Sequence, residues 1–251
     1  MRDHELKEEL PRDPVEAHPF TMDFTTYYAL QEPAIEAEDP PAILLLLHGW
    51  GQNCKGFLRT FAPLRQHNLL VIAAQAPHQF YVDPATKKVG FNWLTVYDRK
   101  QAIEDINRYL QRLLESIYSS HRCDSNRIML LGFSQGVSVA WRFAVSGLLH
   151  PVGLVSCCAD VPADVGEKLG QTQPFPVFLA YGRDDGMVGQ PVQTAGKKTL
   201  SEHGFPYEEH IFEGGHEITP ELLGLIGAWA EERGVRHSEG EPCSDKESKG
   251  A

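Results

Sequence analysis

The sequence predicts an α/β fold, in which a doubly wound and mostly parallel sheet carries helices on both faces. Two observations lead to this prediction. Short, continuously apolar stretches, typical of strands buried on both faces, alternate along the chain with longer stretches of helical periodicity. The segments between successive strands are also long enough for the crossover that parallel strands need. Because no internal repeat or linker interrupts this alternation, we expect a single domain.

The individual elements follow from local patterns. Strands are predicted over residues 42–47, 69–74, 127–131, 152–158, 176–181 and 207–212, and the first three are expected to be buried. The helices are predicted over residues 55–66, 98–119, 138 onward, 192–203 and 221–232. Residues 21–28 are rich in β-forming side chains and predict one or two antiparallel edge strands. Residues 76–97 predict a long, aromatic loop that packs near a functional site.

The two ends of the chain differ from its middle. Residues 1–17 are polar, contain two prolines and predict a loosely held arm. Residues 233–251 are polar and low in hydrophobic side chains, which predicts disorder. The α/β domain is therefore expected to occupy residues 18–232.

Charge and cysteine content limit the partners and the compartment. The formal net charge of −11 argues against nucleic acid or an anionic membrane as a main partner. No apolar run approaches the roughly 18 residues of a membrane span, and the charged N-terminus is unlike a secretory signal. The five cysteines are odd in number and lack metal-ligand spacing, so we expect reduced thiols in a cytoplasmic protein, with no metal.

A Gly-x-Ser-x-Gly pentad carries the main functional signal. It follows the strand predicted over residues 127–131 and precedes the helical pattern that starts at residue 138. Ser134 would then occupy a tight strand-to-helix turn that exposes its hydroxyl group. Gly132 and Gly136 let the strand and the helix approach each other. The alternative is an ordinary turn that happens to contain a serine.

A serine nucleophile needs a base and an acid that orients the base. At the C-terminal ends of later predicted strands lie an acid, Asp184 or Asp185, and then His216. Ligands of an open parallel sheet bind at that edge, and the order Ser, Asp, His is the one expected for an α/β-hydrolase sheet. Separately, the acid could be a turn residue and His216 one loop histidine among 11. Their joint occurrence in the right order favours a triad.

The developing oxyanion also needs hydrogen-bond donors. One is the amide of Gln135, the residue after the nucleophile, and the second is expected from the Trp50 region after the first buried strand. Gly49 and Gly51 give that loop the freedom to turn an N–H inward, although a merely flexible turn is the alternative. His48 comes too early to complete the triad order and is predicted to be structural.

These motifs make residues 42–230 resemble the phospholipase/carboxylesterase family of α/β-hydrolases, which includes acyl-protein thioesterases and small carboxylesterases. The matching stretches are Leu47-His48-Gly49-Trp50-Gly51, Gly132-Phe133-Ser134-Gln135-Gly136, Gly182-Arg183-Asp184-Asp185-Gly186-Met187-Val188 and Gly215-His216-Glu217. The resemblance implies a single-domain α/β-hydrolase fold with Ser134 as nucleophile, Asp185 as acid and His216 as base. It also implies that the amides of Trp50 and Gln135 form the oxyanion hole.

Three segments depart from the family pattern. Trp50 and Gln52 stand where the family usually has Leu and Asp, Val137 replaces a frequent second glycine, and Cys158 stands where thioesterase members carry a tryptophan. A larger side chain at position 50 and a smaller one at position 158 would reshape the acyl pocket. The residues predicted to line the pocket are Trp50, Trp93, Cys158, Met187 and Val188.

The sequence therefore predicts a serine carboxylesterase that acts on small-molecule esters of short to medium chain length and needs no cofactor. The alternatives are an acyl-protein thioesterase or lysophospholipase that uses the same triad and, more remotely, a non-catalytic binding protein on a hydrolase fold. The oligomeric state does not follow from the sequence.

Overall fold

The computed structural model describes residues 18–235, so the predicted arm at residues 1–17 and the tail from residue 236 lie outside the described residues. A seven-stranded sheet dominates the fold, with the order β1-β3-β2-β6-β7-β8-β9. Its strands are β1 (Tyr28–Gln31), β2 (Ala42–Leu47), β3 (Leu69–Ala74), β6 (Asp124–Phe133), β7 (Gly153–Cys157), β8 (Val177–Gly182) and β9 (Tyr207–Phe212). Strand β1 pairs antiparallel with β3, and the other pairings are parallel.

The helices lie between the strands, as the alternation predicts. They are α1 (Cys54–Thr60), α2 (Arg99–Ser120), α3 (Gln135–Ala144), α4 (Gly166–Leu169), α5 (Gln190–Glu202) and α6 (Pro220–Val235), with 3₁₀ turns at Ala62–Gln66 and Ala163–Val165. The single helix predicted over residues 55–66 is divided in two, because Pro63 occupies the start of the second segment and has no N–H for a continuous helix. Helix α6 extends to Val235, three residues into the segment predicted to be disordered. None of the helices within residues 18–235 combines the length and the apolarity needed to cross a lipid bilayer.

Two apolar layers cover the two faces of the sheet. Strand β2 supplies Ile43, Leu45 and Leu47 to the layer under α2 and α3. The alternate residues of β2 face the layer under α1 and α6. All six side chains of β2 are buried because side chains alternate between two covered faces. The doubly wound α/β prediction is therefore confirmed.

One predicted loop is in fact a separate hairpin. Within residues 76–97, β4 (His78–Asp83) pairs antiparallel with β5 (Lys88–Asn92) as a small second sheet. Asp83 holds the connecting turn, since its carboxylate accepts hydrogen bonds from the Ala85 amide at 2.9 Å and from the Thr86 hydroxyl at 2.7 Å. This turn contains no Asn-Gly or Gly-Gly pair, which is the strongest short-range signal for a hairpin.

Candidate active site

Ser134 occupies a strained turn between the end of β6 and the start of α3. Its backbone angles are φ 53° and ψ −119°, a region that costs a non-glycine residue free energy unless the surroundings enforce it. The flanking glycines allow the turn. A Cβ atom on Gly132 would lie 2.4 Å from the backbone of Val137, and one on Gly136 would lie 1.9 Å from the carbonyl oxygen of Leu47. The pentad therefore forms the sharp turn that the sequence predicts.

His216 and Asp185 form a hydrogen-bonded pair at the same edge of the sheet. His216 Nδ1 lies 2.8 Å from Asp185 Oδ2, and the carboxylate is almost completely buried whereas the imidazole is 23% exposed. The second carboxylate oxygen of Asp185 accepts the Met187 amide at 2.8 Å. Asp184 is exposed, and its own amide donates to the carbonyl oxygen of Gly214. The structure thus pairs Asp185, rather than Asp184, with the histidine.

The serine turn and the histidine loop meet through an aromatic ring. Phe133, which precedes Ser134, packs on His216 with 5.1 Å between the ring centroids. Within residues 18–235 no hydrogen bond joins the Ser134 hydroxyl group to His216. Such contacts are often long in a ligand-free enzyme and shorten when substrate binds. Because β6, β8 and β9 run parallel, Ser134, Asp185 and His216 all follow strands that end at one edge.

The loop after β2 orients one peptide group. The carbonyl oxygen of Gly49 accepts hydrogen bonds from His48 Nδ1 at 2.8 Å and from the Gln52 amide at 3.2 Å. The amide of Gly49 donates to Gln52 Oε1 at 2.7 Å. Because the Gly49–Trp50 peptide is trans, its N–H points away from the bound carbonyl. In the described part of the chain, neither this Trp50 amide nor that of Gln135 has an acceptor.

His48 is the anchor of this loop. It is completely buried, and burial lowers the pKa of its imidazole to about 4. The neutral ring accepts the amide of Ala76 at its Nε2, at 3.1 Å, which leaves the proton on Nδ1 for the carbonyl group of Gly49. Gln75 also contacts Nε2 at 3.1 Å. The structural role predicted for His48 therefore includes setting the direction of the Trp50 amide.

Sequence reasoning missed the role of the Gln135 side chain. Its amide nitrogen donates to Asn92 Oδ1 at 2.5 Å and to the carbonyl oxygen of Leu94 at 3.0 Å, and its oxygen accepts the Trp93 amide at 3.0 Å. These three bonds attach the end of the hairpin to the first residue of α3. Among side chains of that length, only Gln offers two N–H donors together with an acceptor, so its presence after the serine was the available signal.

Two of the predicted pocket-lining residues lie beneath the site instead. Trp93 is fully buried. Its indole N–H donates to the carbonyl oxygen of His48 at 2.8 Å, and its ring packs against the His48 ring. Cys158 is also fully buried, with φ 56° and its thiol 3.6 Å from the carbonyl oxygen of Glu217. Neither side chain is exposed in this conformation.

The remaining predicted pocket residues are at the surface. Trp50 is 58% exposed, and its ring packs on Phe80 of the hairpin with a centroid distance of 4.8 Å. Met187 is 74% exposed. Val188 is half-buried and packs against the apolar layer under α2 and α3. Trp50 and Met187 are therefore free to contact a ligand.

The donor atoms of Cys158, Asp185 and His216 lie within 4.8 Å of one another, a spacing that could hold a metal ion. The 2.8 Å contact between Asp185 and His216 is a hydrogen-bond distance. The imidazole N–H accounts for it without an ion, so we interpret the group as a hydrogen-bonded pair with a thiol behind it.

Comparison with known proteins agrees with this geometry. A sequence profile described as phospholipase/carboxylesterase matches residues 30–229. The chain belongs to the phospholipase/carboxylesterase family. Membership in this family supports an ester-hydrolysing enzyme with a small-molecule substrate.

Solved structures share the same fold. The esterase PE8 superposes with a TM-score of 0.67 at 22% identity, covering 83% of this chain and 99% of its own. The acyl-protein thioesterase 2 of Zea mays gives a TM-score of 0.62 at 16% identity, covering 83% of this chain and 99% of its own. The Bacillus cereus carboxylesterase gives 0.61 at 17% identity, covering 83% of this chain and 94% of its own. At these identities the likeness shows the α/β-hydrolase fold.

Proposed function

We propose that this chain is a serine carboxylesterase in which Ser134 attacks the ester carbonyl group, His216 accepts its proton and Asp185 holds the imidazole. The observation that carries the proposal is the 2.8 Å bond between His216 Nδ1 and Asp185 Oδ2, at the sheet edge where Ser134 occupies its strained turn. The bond from Nδ1 directs Nε2 away from the carboxylate, so Nε2 is the nitrogen that can accept the serine proton.

The reaction then proceeds in two steps, acylation of Ser134 and hydrolysis of the acyl-enzyme. The Ser134 oxygen bonds to the carbonyl carbon, the C–O bond to the alcohol breaks, and His216 gives its proton to the departing alcohol. In the second half, His216 takes a proton from water while the water oxygen attacks the acyl-enzyme. The carboxylic acid product leaves, and Ser134 regains its proton from His216. Asp185 stays ionised throughout and stabilises the imidazolium that forms twice.

Two main-chain amides support the oxyanion assignment. The Trp50 N–H is directed by the bonds that fix the carbonyl group of Gly49, and the Gln135 N–H lies at the N-terminus of α3. Neither amide has an acceptor within residues 18–235, so both can donate to the oxygen that becomes negative in the transition state. Fixed donors of this kind need no reorganisation when the charge develops.

We further propose a preference for short acyl groups. Trp50 carries the large side chain next to an oxyanion donor, and its contact with Phe80 holds the indole against the hairpin. Each buried methylene of a substrate contributes up to about 0.8 kcal/mol until the acyl chain meets a wall. The indole supplies such a wall closer to the serine than a leucine would.

The nucleophile is tested by ester turnover of two matched serine variants. Ser134→Ala is expected to lower kcat for p-nitrophenyl butyrate by several orders of magnitude, because the covalent step is lost. Ser138→Ala is the control, since Ser138 lies one turn further along α3 and its hydroxyl only donates to the Gln135 carbonyl oxygen. Near-normal turnover by a folded Ser134→Ala variant would overturn the proposal. Absence of turnover by the wild-type chain on esters and thioesters would favour a non-catalytic binding protein.

The acyl preference is tested by a chain-length series of p-nitrophenyl esters and acyl thioesters. We expect the wild type to favour acyl groups of about two to six carbons, from the size argument above. Trp50→Leu is expected to move the optimum to longer chains with little change on acetate, because the oxyanion donor is a backbone amide. A wild-type optimum on palmitoyl thioesters would instead indicate an acyl-protein thioesterase.

A further inference from the structure

A groove runs along the β1 edge of the main sheet. Its volume is about 610 Å³, and it lies between β1, α1 and the 3₁₀ turn at Ala62–Gln66. The lining residues are Ala29, Leu30, Gln31, Glu32, Lys55, Leu58, Arg59, Ala62 and Arg65. The groove therefore has a strand on one side and helical segments on the other.

The main-chain groups of β1 that face outward can be identified from the register. The carbonyl oxygen of Tyr27 accepts the amide of Gln75 on the β3 side, and Tyr28 stands opposite Ala74. Antiparallel strands alternate between residues that bond to the neighbour and residues that do not. Tyr28 and Leu30 therefore direct their N–H and C=O groups away from β3. Within residues 18–235, these main-chain groups have no hydrogen-bond partner.

The opposite wall of the groove is basic. Lys55 and Arg59 are four residues apart on α1 and therefore share one face of that helix, where like charges repel. Arg65 joins them from the 3₁₀ turn, and all three side chains are exposed. None of the three forms an ion pair with an acid among residues 18–235, and Glu32 is the one acid in the lining. In a chain with 34 acidic and 23 basic residues, this is an unneutralised positive surface.

We propose that this groove binds an extended acidic peptide segment of a partner protein, which adds to β1 as a further strand. The outward amide and carbonyl groups of Leu30 would form the ladder, and acidic side chains of the peptide would reach Lys55, Arg59 and Arg65. A second copy of this chain fits less well, because pairing β1 with β1 would bring two basic walls together. The inference does not depend on the proposed esterase activity.

The test measures binding of a fluorescein-labelled peptide of alternating glutamate and valine to the full chain, by fluorescence anisotropy. We expect saturable binding that weakens as salt rises, since exposed charges are screened. The double variant Lys55→Glu/Arg59→Glu should weaken binding at least about tenfold, because it replaces two attractions with two repulsions. The control Lys100→Glu/Arg112→Glu makes the same charge change at exposed positions of α2 and should bind like the wild type.

Strand pairing is tested separately from charge. Two further peptides carry N-methyl groups, one on its odd and the other on its even residues, which removes main-chain donors and keeps every side chain. Only one of the two should lose binding, because alternate residues of an added strand face β1. Equal binding by both methylated peptides, an equal loss in the two double variants, or no saturable binding would each overturn the proposal.

Discussion

At the scale of single residues, the candidate site depends on the direction of one peptide group. His48 and Gln52 hold the carbonyl oxygen of Gly49, and the Trp50 amide consequently points the other way. A neutral imidazole is required, because its Nε2 must accept the Ala76 amide while its Nδ1 donates. Burial ensures neutrality by lowering the pKa of His48 to about 4.

This lowered pKa makes the fold sensitive to acid. A histidine that is harder to protonate in the folded state stabilises the fold above its unfolded pKa of 6.5, and that stabilisation is lost as pH falls toward 4. The loss amounts to about 3 kcal/mol. We expect His48→Asn, which cannot titrate, to be less stable than the wild type at pH 7. At pH 4 the difference in free energy of unfolding between the two proteins should be smaller by about 3 kcal/mol. Urea unfolding at both pH values measures this, and a constant difference would contradict it.

The choice between two adjacent acids is a second test at this scale. Asp185→Asn should lower kcat by about four orders of magnitude, because an amide donates to His216 and favours the wrong tautomer. Asp184→Asn changes an exposed side chain whose backbone amide, not its carboxylate, bonds to Gly214, so kcat should change little. Ester hydrolysis by the two purified variants decides the assignment, and a larger loss for Asp184→Asn would reverse it.

At the scale of elements, the hairpin of β4 and β5 contacts both segments that carry the proposed oxyanion-hole amides. The Gly51 amide donates to the carbonyl oxygen of Phe91 at 2.8 Å, and Trp50 packs on Phe80. The Gln135 side chain donates to Asn92 at the end of β5 and to the carbonyl oxygen of Leu94 just after it. The hairpin therefore connects the loop after β2 with the start of α3.

A single methyl group should disturb this connection. A Cβ atom on Gly90 would lie 2.5 Å from the Gly51 carbonyl oxygen and 2.4 Å from a Val82 methyl group. Gly90→Ala is thus expected to displace the hairpin and lower kcat/KM by about tenfold or more, which is less than the roughly hundredfold cost of removing an oxyanion donor, because the Trp50 amide is only shifted. Gly224→Ala, where nothing lies within 4 Å, is the control. Unchanged kcat/KM in Gly90→Ala would show that the hairpin does not support the site.

The sequence predicted those elements whose periodicity is set by the main core. Strands β2 and β3 match their predicted bounds, because both are continuously apolar and buried along their whole length. The hairpin was missed because its two strands cover a small surface and are not buried on both faces, so their pattern is mixed. In the helix predicted over residues 55–66, Pro63 was the one sequence signal for the break between α1 and the following 3₁₀ turn.

At the scale of the whole molecule, the two-layered core places the candidate site residues at one edge of the sheet. Parallel strands under two covered faces end together, so the spacing of Ser134, Asp185 and His216 along the chain sufficed to predict their common location. Burial of individual side chains did not follow from spacing. Trp93 is buried where its indole N–H donates to the His48 carbonyl oxygen. Cys158 is buried at a residue with a positive φ angle. Both features depend on tertiary structure.

The central claim is that Ser134 forms a covalent acyl-enzyme. The most direct measurement is intact-mass spectrometry after treatment with an organophosphate such as paraoxon, which phosphorylates an activated serine and releases its leaving group. We predict one diethylphosphoryl group per wild-type chain, located on Ser134 by peptide mapping, together with loss of esterase activity. Ser134→Ala should gain no such group. Full labelling of Ser134→Ala, or complete inactivation of the wild type without a bond to Ser134, would contradict this account.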